Sequence, residues 1–320
     1  MKKFTPICLL AASALVVAAP TQAQDNDYPA ETLNYVIAFG PGGGNDLMSR
    51  TVVNILQQYE IYDENIVVEN RDGGSGAIGF SYVKQQEGNP YFLTSTSGNF
   101  ISTALVSNTD WNYSDFTPIG LLASDAMFLV VRTDSGYETV EDFVQAAIDG
   151  RLVVGGTGSA GPERVVAGLF ANAAEINFDY VPAGTGGEMV TALTSGSVQA
   201  IVANPSEVAG QIEAGNFHAL AFSDGKRSTV YPDVPTFTEQ GYDVDFSLPR
   251  GVVMPGGVSE DVQQWWVSAL QQVVETPEWN EYLSTNSMSG NPIWGDEFGA
   301  YLEETSAEFE SVLREIDAID

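Results

Sequence analysis

The residues best suited to chemistry lie in six short loops rich in glycine, hydroxyls and amides, each following a short apolar run. They are Gly40–Asp46 (GPGGGND), Arg71–Gly79 (RDGGSGAIG), Ser95–Asn99 (STSGN), Gly155–Glu163 (GGTGSAGPE), Pro182–Glu188 (PAGTGGE) and Asn204–Glu207 (NPSE). Glycine lets the backbone approach a ligand closely, and successive N–H groups form a nest for an anion. Helices starting at Asn45, Pro162 and Ser206 would add partial positive charge. Such loops can hold a carboxylate even in an acidic protein. A nucleotide fits poorly. GPGGGNDLMS lacks the Lys-Ser/Thr ending of a P-loop, offers Gly42, Gly43 and Gly44 rather than G-x-G-x-x-G, and VVENRDG supplies no ribose acid at the usual place.

Catalytic constellations are scarce. The single histidine, His218, lies in the apolar run FHALAF and reads as a packed strand residue. The single cysteine, Cys8, falls within an N-terminal apolar segment. Ser-His-Asp chemistry, thiolate nucleophiles and His- or Cys-rich metal sites are thereby set aside, and no catalytic residue, metal or cofactor is expected. A hydrolase using Ser159 or Ser75 would lack a base, and GTGSAG is not a G-x-S-x-G elbow. Arg71, Arg164 and Arg250 each lie beside a loop or a crossover; each could fork onto a carboxylate or close a structural salt bridge. Trp265 and Trp266 read as core, and Glu303 and Glu304 as a solvated helix face.

The elements that must position these loops follow an alternation of β-rich runs and helical patterns, the signature of α/β layers. Strands are expected at Leu33–Phe39, Asn65–Val68, Tyr91–Ser95, Phe128–Arg132, Leu152–Gly155, Phe178–Val181, Ala200–Ala203, Ala219–Phe222 and Gly251–Met254. Met48, Val52, Ile55, Leu56 and Tyr59 form one apolar helical face. Thr139–Asp142 reads as a capped helix start with Gly150 as its stop, Pro162 and Glu163 as a first turn, Ser259 as a cap, and 296–316 as a last amphipathic helix. Two passages, FLVVRTDSGYETVEDF and RGVVMPGGVSEDVQQW, share a strand-turn-helix pattern and read as entries into a lobe. This gives one lobe of 28–126 plus 250–320, a second of 127–249, and a hinged cleft between them.

Residues 1–23 read as a signal peptide: Lys2 and Lys3, an apolar stretch from Ile7 to Ala19, and small residues at Thr21 and Ala23 before the cut. The expected location is the periplasm. The chain carries 43 acidic against 12 basic residues, and removing Lys2 and Lys3 takes its formal charge from −31 to −33. That excess argues against nucleic acid and anionic membranes as partners.

YVIAFGPGGGNDLMSR, VVENRDGGSGAIGFSYV, GTGSAGPERVVAGLF and YPDVPTFTEQGYDV followed by RGVVMPGG occur in the order and spacing of a known family. The chain resembles the tripartite tricarboxylate transporter receptors, the TctC-like or Bug solute-binding proteins, over nearly all of its length after the leader. The resemblance implies a two-lobe type II periplasmic-binding-protein fold, each lobe a sheet flanked by helices. It implies a monomer that captures a small carboxylate by clamshell closure and delivers it to a permease of one large and one small membrane subunit. The same fold could instead present its closed form to a membrane sensor.

Carried over by motif, the first-lobe contacts are Gly40, Pro41, Gly42, Gly43, Gly44, Asn45 and Asp46, then Ser75, Gly76, Thr96 and Ser97. The second lobe would contribute Gly158, Ser159 and Ala160, then Ala183, Gly184, Thr185 and Asn204. Three departures fall in these loops: Pro162-Glu163-Arg164 where many members carry a histidine, Ala183 in place of an aromatic or basic residue, and NRDGGSG in place of NRPGAGG.

Overall fold

The computed structural model describes residues 28–158, 161–228 and 230–315, together with Met1 and Ile319. The expected signal peptide lies outside the described residues. In chain order the elements are β1 (Leu33–Ile37), α1 (Gly44–Gln58), β2 (Ile66–Asn70), α2 (Ala77–Lys84), β3 (Phe92–Ser95), α3 (Gly98–Val106), β4 (Phe116–Ala126) and β5 (Phe128–Arg132). There follow α4 (Val140–Asp149), β6 (Val153–Thr157), α5 (Pro162–Ala173), β7 (Asp179–Ala183), α6 (Gly186–Thr194), β8 (Ala200–Ala203), α7 (Pro205–Glu213) and β9 (Phe217–Phe222). The last are β10 (Ser247–Pro255), α8 (Glu260–Val274), α9 (Pro277–Asn286), β11 (Ile293–Trp294) and α10 (Gly295–Glu315).

Two mixed sheets form two lobes. The first has the order β11-β4-β10-β3-β1-β2, the second β7-β6-β8-β5-β9. In the first, β1 runs parallel to β2 and β3; in the second, β6 runs parallel to β7 and β8. Side chains alternate along β1. Leu33, Tyr35 and Ile37 pack with α1 and α8, while Val36 enters the core on the other face with Phe80 and Phe100. That second core continues through Phe298, Phe309 and Leu313 of α10 to Val165 and Phe170 of the other lobe.

The lobes are joined by two long antiparallel strands. β4 and β10 pair from Phe116↔Pro255 to Ala126↔Ser247, and a single residue, Met127, separates β4 from β5 of the second sheet. Ser223 clasps both crossings. Its Oγ accepts from the Met127 N–H (2.9 Å) and donates to the Phe246 carbonyl (2.7 Å), and Ser223 is fully buried. Thr236 and Glu239 cap each other reciprocally in the returning segment, and Phe237 beside them is buried 5.0 Å from the Phe170 ring.

Some expectations change. The strand β4 at Phe116–Ala126 was not among those expected, and it contains Pro118 and Gly120, residues that ordinarily interrupt strands. Pro118 pairs at a register shift in β10, where a missing N–H is tolerated, and the Trp294 indole covers Gly120. β11 was not expected either; its two residues pair with β4 opposite Leu121 and Gly120. Tyr59 is exposed at the end of α1 and donates to Glu278 (2.8 Å), so the apolar face stops at Leu56. His218 faces solvent on the edge strand β9, its Nε2 3.2 Å from the Glu138 carbonyl oxygen. The capped starts at Thr139 and Ser259 form as expected.

Candidate functional site

Residues at or beyond the carboxyl ends of β2 and β3 in the first sheet and of β6, β7 and β8 in the second line one cavity of about 350 Å³. Six residues named from the sequence share its wall: Ser75, Ser97, Gly158, Ala183, Gly184 and Asn204. Ser159 and Ala160 lie outside the described residues. Gly40, Pro41, Gly42, Gly43, Gly44, Asn45, Asp46, Gly76, Thr96 and Thr185 are not on the wall.

The first loop is bound up in its own architecture. Gly42, at φ +83°, donates its N–H to Asp46 Oδ2 (2.9 Å). Asp46 Oδ1 accepts from Arg50 Nε (2.9 Å) and Asn70 Nδ2 (2.8 Å). Burial by itself raises the Asp46 pKa, but the hydrogen bonds from Arg50, Gly42 and Asn70 outweigh it and hold the carboxyl below its usual range. Asn45 Nδ2 donates to the Thr96 carbonyl (3.0 Å), and Thr96 Oγ1 accepts from the Gly251 N–H (2.9 Å). Thr185 caps α6 by accepting from the Glu188 N–H. The loop reaches the cavity through a neighbour. A Cβ on Gly44 would stand 3.3 Å from Nη2 of Arg250, a wall residue.

Three helices present N-termini to the cavity without a side-chain cap. The N-cap residues Ser97 of α3, Gly161 of α5 and Asn204 of α7 all lie on the wall. Ser97 Oγ and Asn204 Nδ2, one from each lobe, are buried without a partner among the described residues. Buried polar atoms are nearly always hydrogen-bonded, so these two mark where a polar ligand would complete the bonding. Uncapped N-terminal N–H groups favour an anion in the same space. Ser75 adds a carbonyl-bearing turn at φ +54°, held by a bond from Thr103 Oγ1 to the Ser75 carbonyl (2.9 Å). The lobes meet at the cavity edge, where a Cβ on Gly98 would lie 2.5 Å from Leu248 Cδ2 and 2.6 Å from Pro162 Cγ.

The wall carries two ionisable side chains among the described residues, Glu163 and Arg250. Arg250 is bound to Asp125 through Nη2 (2.5 Å) and Nε (3.2 Å), both reaching Oδ2. Burial would pull the guanidinium pKa down, but the Asp125 charge and hydrogen bonds carry it above its ordinary value. Glu163, 8 % exposed, has its pKa pushed up to about 8. Burial is the main cause, and Glu207 and Asp125 add repulsion against the opposing pull of its own backbone N–H and Arg250. Of the other arginines, Arg71 pairs with Glu69 (3.0 Å) and lies 3.5 Å from the Tyr82 ring centroid, and Arg164 lies over Tyr180 at 4.8 Å. Glu163 and Asp125 were not among the site residues expected from sequence. The signal for Glu163 was its place in the Pro162-Glu163-Arg164 departure; Asp125 had none, since its strand was not expected.

Comparison with known proteins bears on the family and the fold. The family described as the tripartite tricarboxylate transporter family receptor, TctC, matches residues 50–317. Protein BugT of Bordetella pertussis is 26% identical over 244 residues, 74% of this chain and 74% of its own length. The structure of a TctC solute-binding protein from Polaromonas has a TM-score of 0.78 at 24% identity, covering 90% of this chain and 99% of the other. An R. palustris protein with adipate has a TM-score of 0.78 at 22% identity, covering 90% and 98%. These structural likenesses establish the two-lobe type II binding-protein fold. With the family match spanning most of its length, the chain belongs to the TctC family of tripartite tricarboxylate transporter receptors.

Proposed function

We propose that the protein is a periplasmic receptor that captures a small di- or tricarboxylate, or a related organic acid, between its lobes and delivers it to a tripartite membrane permease. The observation that carries this reading is the convergence of three uncapped helix N-termini on unpartnered Ser97 Oγ and Asn204 Nδ2, beside Arg250. The ligand bridges the lobes. One carboxylate accepts from Ser97 and the α3 terminus, and the other end meets Asn204 and the termini of α5 and α7. A ligand that touches both lobes binds the closed arrangement better, which is the condition for it to drive closure. The adipate in a structural neighbour supports the ligand class. In this reading residues 1–23 act as the signal peptide, the lobes divide as 28–126 plus 250–320 and 127–249, and the receptor is a monomer.

The test is a thermal-shift screen of ligand-free protein against dicarboxylates, tricarboxylates, aromatic acids and acidic amino acids, followed by calorimetry. A ligand at a hundredfold excess over its Kd stabilises by about 2.7 kcal/mol. A hit among the acids, weakened by Ser97→Ala and Asn204→Ala, supports the reading. A folded protein that responds to none of them overturns it.

A further inference from the structure

We propose that Glu163 recognises the bound acid as a neutral carboxyl group, donating a hydrogen bond to a ligand carboxylate oxygen, so that capture requires a proton on this residue. The inference rests on the carboxylate-receptor reading and deepens it.

Arg250 is matched by Asp125 and brings no surplus positive charge. Glu163 makes no ion pair among the described residues. It stands at the second position of α5, on the wall, with glycine on either side. A Cβ on Gly156 would lie 2.6 Å from its own Cβ, and one on Gly161 would lie 3.2 Å from Oε2. The carboxyl is therefore given room at the cavity surface, where an anionic ligand must come. An ionised Glu163 and a ligand carboxylate cannot share so enclosed a space; one proton between them removes the repulsion and makes a short charge-assisted bond.

The groups facing Glu163 act in the same direction. Glu207 at the start of α7 and Asp125 on β4 both disfavour its ionisation. Arg250 on β10 opposes them but is committed to Asp125. Tyr180 on β7 is neutral, its own pKa raised by burial and by Glu163, and Arg164 stacks over that ring. With a pKa of about 8, Glu163 is mostly protonated at pH 7 in the empty cavity. The acidic form is the binding form, so affinity is held below about pH 8 and lost above it.

The experiment is calorimetric titration of succinate, adipate and citrate into the wild type and Glu163→Gln from pH 7 to 9.5. Glutamine keeps a donor and cannot ionise. For any acid that binds, the wild-type Kd is expected to rise about thirtyfold over this range, while the Kd of the variant does not change with pH. Wild-type titrations at pH 9 in two buffers of different ionisation enthalpy should show uptake of about 0.9 proton per ligand, a readout that needs no variant. A flat wild-type profile without proton uptake, or a variant with the wild-type slope, overturns the inference and leaves the receptor reading intact. Proton release on binding, with binding abolished in Glu163→Gln, overturns it in favour of an ionised Glu163 facing a cationic ligand group. Failure of all three acids to bind either protein at pH 7 overturns the di- and tricarboxylate reading and this inference together.

Discussion

Arg250 reaches diagonally across the ladder between the two lobe-joining strands to Asp125, two residues beyond its own cross-strand partner Ala123. Both side chains are almost completely buried, at 9% and 2% exposed. The pair thus lies within the connection about which the lobes would move, and its cationic member forms part of the cavity wall.

Breaking this pair from one side is expected to be costly. Asp125→Ala would leave an unpaired buried guanidinium and should lower stability by about 3–5 kcal/mol. The double variant Asp125→Ala/Arg250→Met should recover most of the loss, because two buried charges are removed together. Urea denaturation of the three proteins measures both steps. Equal stability of the wild type and Asp125→Ala would show that the pair does not hold the connection.

Gly98 marks a close approach between the lobes at the cavity edge. Its missing Cβ would press on Leu248 and on Pro162 of the facing lobe. Gly98→Ala should weaken ligand binding by about 1–3 kcal/mol, roughly five- to 150-fold. Calorimetry gives the affinity, and small-angle scattering should show the variant more open at saturating ligand. An unchanged Kd would mean that this contact is not part of the bound state.

Ser223 bonds to both crossings, so its hydroxyl can be tested separately from the cavity. Ser223→Ala would strand the Met127 N–H and the Phe246 carbonyl in the interior. A loss of about 2–3 kcal/mol is expected, read as a lower Tm. Ligand affinity measured well below that Tm should change less than in Gly98→Ala.

Asp46 and Glu163 predict opposite pH dependences. The Asp46 pKa is lowered in the folded protein, so its contribution is present above the ordinary carboxylate value and lost as pH falls through the folded value. Asp46→Asn should therefore flatten the acid limb of the stability profile. The Glu163 pKa is raised to about 8, so its contribution is fully present below the unfolded value and is lost as pH rises towards 8. Glu163→Gln should gain on the wild type by up to about 1.4 kcal/mol per pH unit between pH 5 and 8 and then level off. Thermal melts across pH 3–9 check both signs.

Much of the framework is legible because its signals are local. β5 and β8 fall at the expected residues, since continuous apolar runs bounded by polar turns leave few other readings. The caps at Thr139 and Ser259 are read from short-range chemistry. β4 was illegible because Pro118 and Gly120 argue against a strand unless the β10 irregularity and the Trp294 ring are known. In the site, Ser75, Ser97, Gly158, Ala183, Gly184 and Asn204 were named from their loops and share one wall. The Gly40–Asp46 loop, the most conspicuous in the sequence, is set back behind Arg250.

The sequence by itself determined the alternation of strands and helices, the glycine-rich loops at strand ends, the acidic charge and the family motifs. Each of these depends on residue type and short-range spacing. Only the tertiary structure decided which loops meet in one cavity, that Arg250 is neutralised by Asp125, and that Glu163 stands uncompensated on the wall. The reason is physical. Burial and charge compensation depend on groups brought together from 38 to 125 residues apart, and no local pattern specifies a neighbour that the chain supplies only by folding.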